Sequence, residues 1–292
     1  MTLCIAWTRK GEISFASDSR LTDGVGNIVT DIATKIFTIH VRITNHDRRA
    51  LLFQANYGLC FTGSYLNGSI LADTISELLS SLRMNKDERI GAEVVAQIAF
   101  EIYKDVSAHL MSINGPRGLS EAWLAGCCPL KGVHRMFKFS WQYSGDNETI
   151  DFIMTEEAWE KGSIAFLGDS TAVSFAEEIK GKVDFAKGYT EYHLLKEVIE
   201  NEDIQTVGGA IQTGHLLHGD FSLFGMVDYE IDTMPGTEFS FVKPVYTFRG
   251  IPLTRAIKSV NHVAIDTNKI SMAPFSEKEQ QMKQKANEMN KK

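Results

Sequence analysis

Two amphipathic helical patterns in succession constrain the fold of this 292-residue chain more than any other feature. Apolar residues recur at intervals of three and four over residues 67–82, and again over residues 91–111. Each apolar stripe needs a sheet or another helix to cover it, and strand patterns lie on both sides of the pair. Long helices outside antiparallel strands are typical of a layered structure rather than a βαβ winding. We therefore predict an α+β fold in which helix pairs cover sheets.

Strand patterns fill the first 65 residues and return after the helix pair. Residues 2–7 and 12–18 predict a hairpin around the turn Lys10-Gly11. The other predicted strands are 35–40, two short segments within 50–62, 122–128, 135–141, 149–154, the stretch before Gly168, 221–229 and 239–248. Further helical patterns cover 172–179, 190–200 and 204–217, and the polar stretch 43–49 is predicted to be an exposed excursion.

The predicted domain organisation is simple. The chain contains no linker rich in proline, glycine and serine, so residues 1–275 are predicted to form one domain. Residues 276–292 are almost entirely polar and offer little surface to bury. We predict that they form a flexible C-terminal tail or a frayed helix.

Composition excludes several classes of protein. A net charge of −7 disfavours nucleic acid as the main partner, because neutralising phosphates requires a basic face. The chain has no apolar run long enough to cross a membrane and no signal-peptide pattern, so we expect a cytoplasmic protein. The four cysteines have no metal-ligand spacing and are expected to be reduced core residues: Cys4, Cys60, Cys127 and Cys128.

The first residues carry the strongest chemical signal. Thr2 is small enough for methionine aminopeptidase to expose it by removing Met1. An N-terminal threonine supplies its own general base, since a free α-amino group has a pKa of about 7.7–8.0. A lysine such as Lys35 would lower the pKa of that amine, and an aspartate such as Asp18 would hold the lysine in place. A hairpin followed by a third strand is a geometry that brings these three residues together.

The same residues carry a resemblance to a known family. The resemblance is carried by an ordered series of motifs. In chain order they are Thr2, the segment Ala16-Ser17-Asp18-Ser19-Arg20, Lys35, and Thr62-Gly63-Ser64 ahead of a helix. The chain resembles proteasome β-subunit-type N-terminal-nucleophile (Ntn) hydrolases, in particular bacterial subunits such as HslV and the Anbu group. The resemblance implies a four-layer αββα sandwich. It also implies that Thr2 is the nucleophile, that Asp18 orients the catalytic Lys35, and that the Gly63 N–H contributes to the oxyanion hole.

Two later segments bear on the match. The turn at 167–171 resembles the family turn that places a serine near the nucleophile. We assign that position to Ser170, with Asp169 as the ungapped alternative and a helix N-cap as the non-catalytic interpretation. Many family members carry Asp-x-x-Ser-Gly-Gly near residues 204–209, but this chain has Ile204 and Val207 at the polar positions. That departure weakens the expected network of supporting hydrogen bonds.

Two other constellations have ordinary explanations. His215 and His218, three residues apart on a predicted helix, resemble metal ligands only if a carboxylate such as Asp220 joins them. The glycine-rich loop at 24–26 lacks both the following helix and the lysine-serine pair of a phosphate-binding loop. We therefore expect neither a metal nor a cofactor.

The sequence thus predicts a threonine-type endopeptidase acting on peptides or unfolded proteins. The resemblance implies a homo-oligomer built as a ring or a helical stack, and it leaves open whether an unfoldase partner exists. Two alternatives remain: a small-molecule Ntn amidase, which would use identical nucleophile chemistry, and an inactive proteasome-like scaffold subunit. The apolar residues at 204 and 207 favour the scaffold, whereas the presence of Thr2, Asp18 and Lys35 favours an enzyme.

Overall fold

The structure is a computed structural model, and it is described here for residues 2–23, 25–48, 50–85, 88–145, 149–158, 162–183, 190–233, 240–249, 251–252, 270–271, 284 and 286–289. Over these residues the chain forms a mixed α+β structure, which confirms the predicted class. None of the helices in this part of the chain combines the length and apolar character that a membrane crossing requires.

Two large sheets dominate the described residues. The strands of the first are β1 (Leu3–Arg9), β2 (Glu12–Ser17), β11 (Ile164–Gly168), β12 (Gln212–Leu217), β13 (Asp220–Thr233), β14 (Ser240–Phe248), β15 (Ile251–Pro252) and β16 (Ile270–Ser271). Their order is β11-β1-β2-β12-β13-β14-β15, and β16 pairs with β13 in parallel. The β1–β2 hairpin, with Cys4 opposite Ser17, confirms the prediction for the N-terminus.

The second sheet contains β5 (Ile36–Asn45), β6 (Leu51–Gly63), β7 (Leu82–Met84), β8 (Ser120–Cys127), β9 (His134–Tyr143) and β10 (Ile150–Glu156), in the order β10-β9-β8-β6-β5-β7. A separate small ribbon pairs β3 (Leu21–Thr22) with β4 (Ile28–Thr30). The helices are α1 (Tyr65–Leu79), α2 (Ala92–Asn114), α3 (Ser170–Lys182) and α4 (Glu191–Glu200), and a 3₁₀ turn covers Gly115–Gly118.

Three apolar clusters show which faces are buried. One lies between the sheets, where the Phe15 and Trp123 rings stack with centroids 6.2 Å apart. A second joins α1 and α2 to the second sheet, with Ile75 and Leu59 among its buried members. The third joins α3 and α4 to the first sheet and includes Leu195. Each helix pair therefore packs an apolar face on a sheet, although Ile70, Leu78 and Val94 of the predicted stripes are exposed.

The predicted helix at 204–217 is wrong. Residues 201–211 form turns and irregular segments, and Gln212–Leu217 is strand β12, paired with β2 on one side and β13 on the other. Ile204, Val207 and Leu216 are all buried, and their spacing also fits the apolar stripe of a helix. The pairing of residues 212–217 with β2 and β13 determines the strand conformation instead.

The predicted excursion at 43–49 is also wrong over its first half. Strand β5 continues to Asn45, where Ile43 pairs with Phe53 and is only 1% exposed. The turn occupies residues 46–48, and residue 49 lies outside the described residues. The two short segments predicted within 50–62 are one strand, β6.

The predicted tail at 276–292 falls for the most part outside the described residues. Residues 284 and 286–289 are helical. The division into a domain of residues 1–275 and a flexible tail therefore stays a prediction.

Candidate active site

A buried ion pair lies at the end of the N-terminal hairpin. Asp18 follows β2 directly, and Lys35 precedes β5. The Lys35 Nζ is 2.9 Å from the Asp18 Oδ1, and the two side chains are 2% and 0% exposed. Seventeen residues separate them in the chain, so the hairpin and the β3–β4 ribbon must fold back to bring them together. The structure thus joins two of the residues predicted from the sequence.

The Asp18 carboxylate is surrounded by donors. Besides the lysine, its Oδ1 accepts the Leu3 N–H at 3.1 Å, and its Oδ2 accepts the Arg20 and Gly208 N–H groups, each at 3.1 Å. Burial raises the pKa of Asp18, while Lys35 and the Gly208 and Leu3 N–H groups act to lower it. Since every polar neighbour named here is a donor, the ionised carboxylate is the form that the hydrogen bonds match.

This arrangement sets Lys35 beside the start of the chain. The lysine ammonium and the Leu3 N–H donate to the same oxygen of Asp18. The Leu3 N–H belongs to the peptide bond that links Thr2 to Leu3. The ammonium therefore neighbours Thr2, which is itself only 4% exposed.

The carbonyl of Thr2 is held from two sides. It accepts the Asp169 N–H at 2.9 Å and the Thr62 hydroxyl at 3.5 Å. Gly168 has φ +146°, and a Cβ there would come within 1.9 Å of the Thr2 oxygen. Only glycine permits this close approach of two backbones. The turn at 167–171, noted in the sequence for its serine, thus contacts Thr2 through its backbone.

A cavity of about 1060 Å³ opens next to these residues. Its lining includes Leu21, Thr22, Thr62, Gly63, Gly168 and Asp169. Gly63 ends β6 with φ +91°, and a Cβ there would lie 2.7 Å from the Leu119 carbonyl oxygen. The glycine is therefore required by its conformation and by its close contact with the neighbouring strand.

Asp169 and Ser170 have different environments. The Asp169 side chain is the N-cap of α3, and its Oδ1 accepts the Thr171 and Ala172 N–H groups at 3.0 and 3.1 Å. Asp169 is largely buried and lines the cavity, whereas Ser170 is the exposed first residue of the helix. The geometry therefore favours the ungapped alignment, with Asp169 next to Thr2.

The segment after α4 supports the ion pair without the expected polar side chains. Ile204 and Val207 are buried in the apolar cluster beneath α3 and α4. The backbone of Gly208 supplies the supporting hydrogen bonds instead. Its N–H donates to Asp18, and its carbonyl accepts the Ser19 and Arg20 N–H groups at 3.1 and 3.0 Å. Sequence reasoning missed this support, since a backbone donor leaves no side-chain signal.

Arg20 packs on the same glycine. Its guanidinium pairs with Asp31 at 2.7 and 3.2 Å and donates to the Gln205 carbonyl at 3.1 Å. A Cβ on Gly208 would approach the Arg20 Cζ to 2.3 Å. Arg20 therefore braces the segment that holds Asp18.

Neither histidine considered as a metal ligand lies on a helix, since His218 is in the turn that follows β12. His215 lies on β12, with Nδ1 2.8 Å from the Ser14 hydroxyl and Nε2 3.1 Å from the Tyr192 hydroxyl. Both oxygens of Asp220 accept hydrogen bonds from Asn56. Within the described ranges, no group of three or more His, Cys, Asp or Glu side chains is arranged to hold a metal ion.

No protein-family model and no curated protein matches the sequence at a significant level. Solved structures show a partial similarity to this one. Anbu (ancestral beta-subunit) from Yersinia bercovieri is 16% identical, over 76% of this chain and 82% of that one, with a TM-score of 0.49. The helical assembly of the Anbu complex from Pseudomonas aeruginosa is 13% identical, over 76% of this chain and 85% of that one, with a TM-score of 0.49. A mutant Anbu from Hyphomicrobium sp. strain MC1 is 17% identical, over 91% of this chain and 100% of that one, with a TM-score of 0.47.

These structural neighbours are Anbu proteins. The Anbu group is one of those that the sequence resembles through Thr2, Asp18, Lys35 and Gly63.

Proposed function

We propose that this chain is a threonine-type endopeptidase whose nucleophile is Thr2 after removal of Met1. The single observation that supports it best is the shared Asp18 oxygen, which binds both the Lys35 ammonium and the Leu3 N–H. This contact sets a positive charge next to the first peptide bond of the mature chain. A cavity large enough for a peptide segment opens beside it.

The proposed reaction begins with proton transfer from the Thr2 hydroxyl to the Thr2 amine. The oxygen attacks the substrate carbonyl, and the Gly63 N–H donates to the oxyanion. The amine then returns the proton to the leaving nitrogen as the C–N bond breaks. Water hydrolyses the resulting ester and frees Thr2.

Lys35 has an electrostatic role in this scheme. Its positive charge disfavours the protonated amine and thereby lowers the pKa of that amine from about 7.7–8.0. It also stabilises negative charge on the threonine oxygen. Asp18 fixes the direction of the lysine side chain through the ion pair. In this proposal Asp169, whose N–H binds the Thr2 carbonyl, takes the auxiliary position next to Thr2 that the sequence had assigned to Ser170.

The wider proposal follows the resemblance. The two sheets face each other, and each is covered by a helix pair, so we assign the chain to the four-layer αββα architecture. We further propose that it works in the cytoplasm as a homo-oligomer. The substrate in this proposal is a peptide or an unfolded protein.

Turnover of fluorogenic peptides tests the proposal. We expect Thr2→Ala and Lys35→Ala to lose activity by about 10²-fold or more, and Thr2→Ser to keep part of it. Lys104→Ala is the matched control, because that lysine is partly exposed on α2, away from the site, where it pairs with Glu101 and lies over the Phe100 ring. Full activity in a folded Thr2→Ala protein would refute the mechanism.

A scaffold subunit is the second candidate, since Ile204 and Val207 are buried among apolar residues where the family carries polar ones. It predicts a stable oligomer with no turnover of any peptide or small amide. A small-molecule amidase would instead cleave short amides, with the same dependence on Thr2, and leave longer peptides intact.

A further inference from the structure

Gln212 is a buried polar residue that the catalytic proposal does not use. It begins β12 and is 2% exposed. Its Oε1 accepts the Lys35 backbone N–H at 3.1 Å, and its Nε2 donates to the Ala33 carbonyl. The amide thus binds the backbone on both sides of Thr34, with its acceptor and one donor each matched to a complementary group.

These bonds complete the fixation of the segment that carries the lysine. The Ala33 N–H donates to the Ser19 carbonyl at 2.9 Å, and the Lys35 carbonyl accepts the Phe61 N–H at 3.2 Å. Gln212 holds the remaining groups, the Ala33 carbonyl and the Lys35 N–H. Both backbone polar groups of Lys35 are therefore bound, the N–H by Gln212 of β12 and the carbonyl by Phe61 of β6. Asp18, which follows β2, binds the side chain and sets its direction.

Gln212 also belongs to the segment that holds Asp18. It pairs with Ser17 in the β2–β12 register, next to Asp18, and Gly208 four residues earlier donates to the Asp18 Oδ2. One short segment, 208–212, thus contacts both members of the ion pair. Its backbone holds the carboxylate, and its glutamine holds the lysine.

We infer that Gln212 is a positioning residue that fixes Lys35 against Asp18 and beside Thr2. This inference rests on the proposed function for its effect on catalysis, but not for the contact itself. Gln212 touches neither Thr2 nor the lining of the large cavity in the described contacts, so it acts through the lysine.

Among the described residues, three titratable groups interact with the charge of Lys35. Asp18 is its ion-pair partner. The positive charge of Lys35 also acts to lower the pKa of Asp31 and of Cys60. Arg20 keeps the pKa of Asp31 below its usual value, and burial raises the pKa of the Cys60 thiol. Asp31 thus stays ionised and Cys60 neutral near pH 7. Burial raises the pKa of Asp18, so the acid limb of the activity profile reports on the amine and on Asp18.

The test compares Gln212→Met with Gln212→Glu. Methionine keeps the length of the side chain but leaves the Lys35 N–H and the Ala33 carbonyl without partners. We expect kcat to fall about 10- to 10²-fold with KM little changed, since small displacements of a catalytic group have costs of this size. The acid limb of kcat/KM should move to higher pH, because a displaced Lys35 lowers the amine pKa less.

Glutamate is the rescuing variant. Protonated, its carboxyl can accept from Lys35 and donate to Ala33 as the amide does, and a carboxyl buried against a carbonyl favours the protonated form. We expect Gln212→Glu to keep more activity than Gln212→Met, most clearly at low pH. A purely structural role would lower the stability of both variants without moving the pH profile.

Amide hydrogen exchange of the peptide containing residues 33–36 is the readout that does not need activity. We expect faster exchange at Lys35 in Gln212→Met, with slow exchange retained in β5. If the wild-type protein lacks peptidase activity, the proposed function fails, and this measurement alone decides whether Gln212 holds Lys35. Unchanged exchange, or an active wild type with unchanged kcat in Gln212→Met, would overturn the inference.

Discussion

The two ends of the β2–β12 strand pair both bury polar side chains, yet only one end holds charge. At one end, Gln212 pairs with Ser17 and the Asp18–Lys35 ion pair follows. At the other end, His215 pairs with Ser14, and its ring packs edge-on against Phe224 and Trp7. Burial lowers the pKa of His215 to about 4, so this histidine is neutral at physiological pH.

The difference lies in the groups that each end supplies to stabilise a charge. Three backbone N–H groups converge on Asp18 in addition to its lysine. Among the described residues, the contacts of His215 are the hydroxyls of Ser14 and Tyr192 and aromatic rings, with no carboxylate to stabilise an imidazolium. A buried anion needs donors or a cation, and a buried cation needs acceptors or an anion, to replace the lost water. The Asp18 end supplies such partners, and the His215 end supplies no opposite charge in the part of the chain that the structure describes.

The largest expected effect comes from breaking the ion pair. Lys35→Met leaves the Asp18 carboxylate buried without its partner, which typically costs about 3–5 kcal/mol. The free energy of unfolding in urea measures this cost. The double variant Asp18→Asn with Lys35→Met should recover part of the loss, because it removes the unpaired charge. Equal destabilisation by the single and the double change would show that the backbone donors alone satisfy Asp18.

The next effect concerns the neutral end and depends on pH. The pKa of His215 is about 4 in the folded protein against an ordinary value of about 6.5. Between these values the unfolded chain binds the proton and the folded chain does not, so stability falls as the pH drops from 6.5 to 4. The loss from this residue is on the order of 3 kcal/mol.

Urea unfolding of wild-type protein and His215→Gln across this pH range isolates that contribution. The variant should lose less stability than the wild type between pH 6.5 and 4. Identical slopes would mean that His215 is protonated in the fold, which would contradict the distinction between the two ends.

The smallest effect is expected at the brace of the charged end. Arg20 is 19% exposed and pairs with Asp31. Pairs open to solvent contribute about 0.2–1 kcal/mol, so Arg20→Ala should cost no more than about 1 kcal/mol. Thermal and urea unfolding should show this loss beside an unchanged Lys104→Ala. A loss as large as that of Lys35→Met would show that Arg20 is needed to hold Gly208, and through it Asp18.

The sequence predicted the parts of this molecule that depend on local pattern. The hairpin, α1, α2 and α4 follow from alternation, turn chemistry and apolar spacing. Asp18 and Lys35 were identified through resemblance, and the structure brings them together. The local pattern does not indicate that their pair is fully buried, because Lys35 stands between a polar and an apolar neighbour.

The failures have a common physical cause. Gln212 and Lys35 are 177 residues apart, and their contact exists only because β12 inserts between β2 and β13. The apolar spacing of 204–217 matched a helix, so the strand and the glutamine were both missed. Gly208 acts through its N–H, which every residue except proline has. Interactions of this kind depend on tertiary pairing and become visible only in the fold.

Covalent labelling tests the central claim, the identity of the nucleophile, most directly. The native protein is treated with a β-lactone, its intact mass is measured, and the modified residue is mapped by peptide sequencing. We predict a chain lighter by one methionine, one adduct per subunit on Thr2, and no adduct on Thr2→Ala. An active protein that keeps Met1 on every chain, or an adduct at another residue with Thr2 unmodified, would contradict the proposed mechanism.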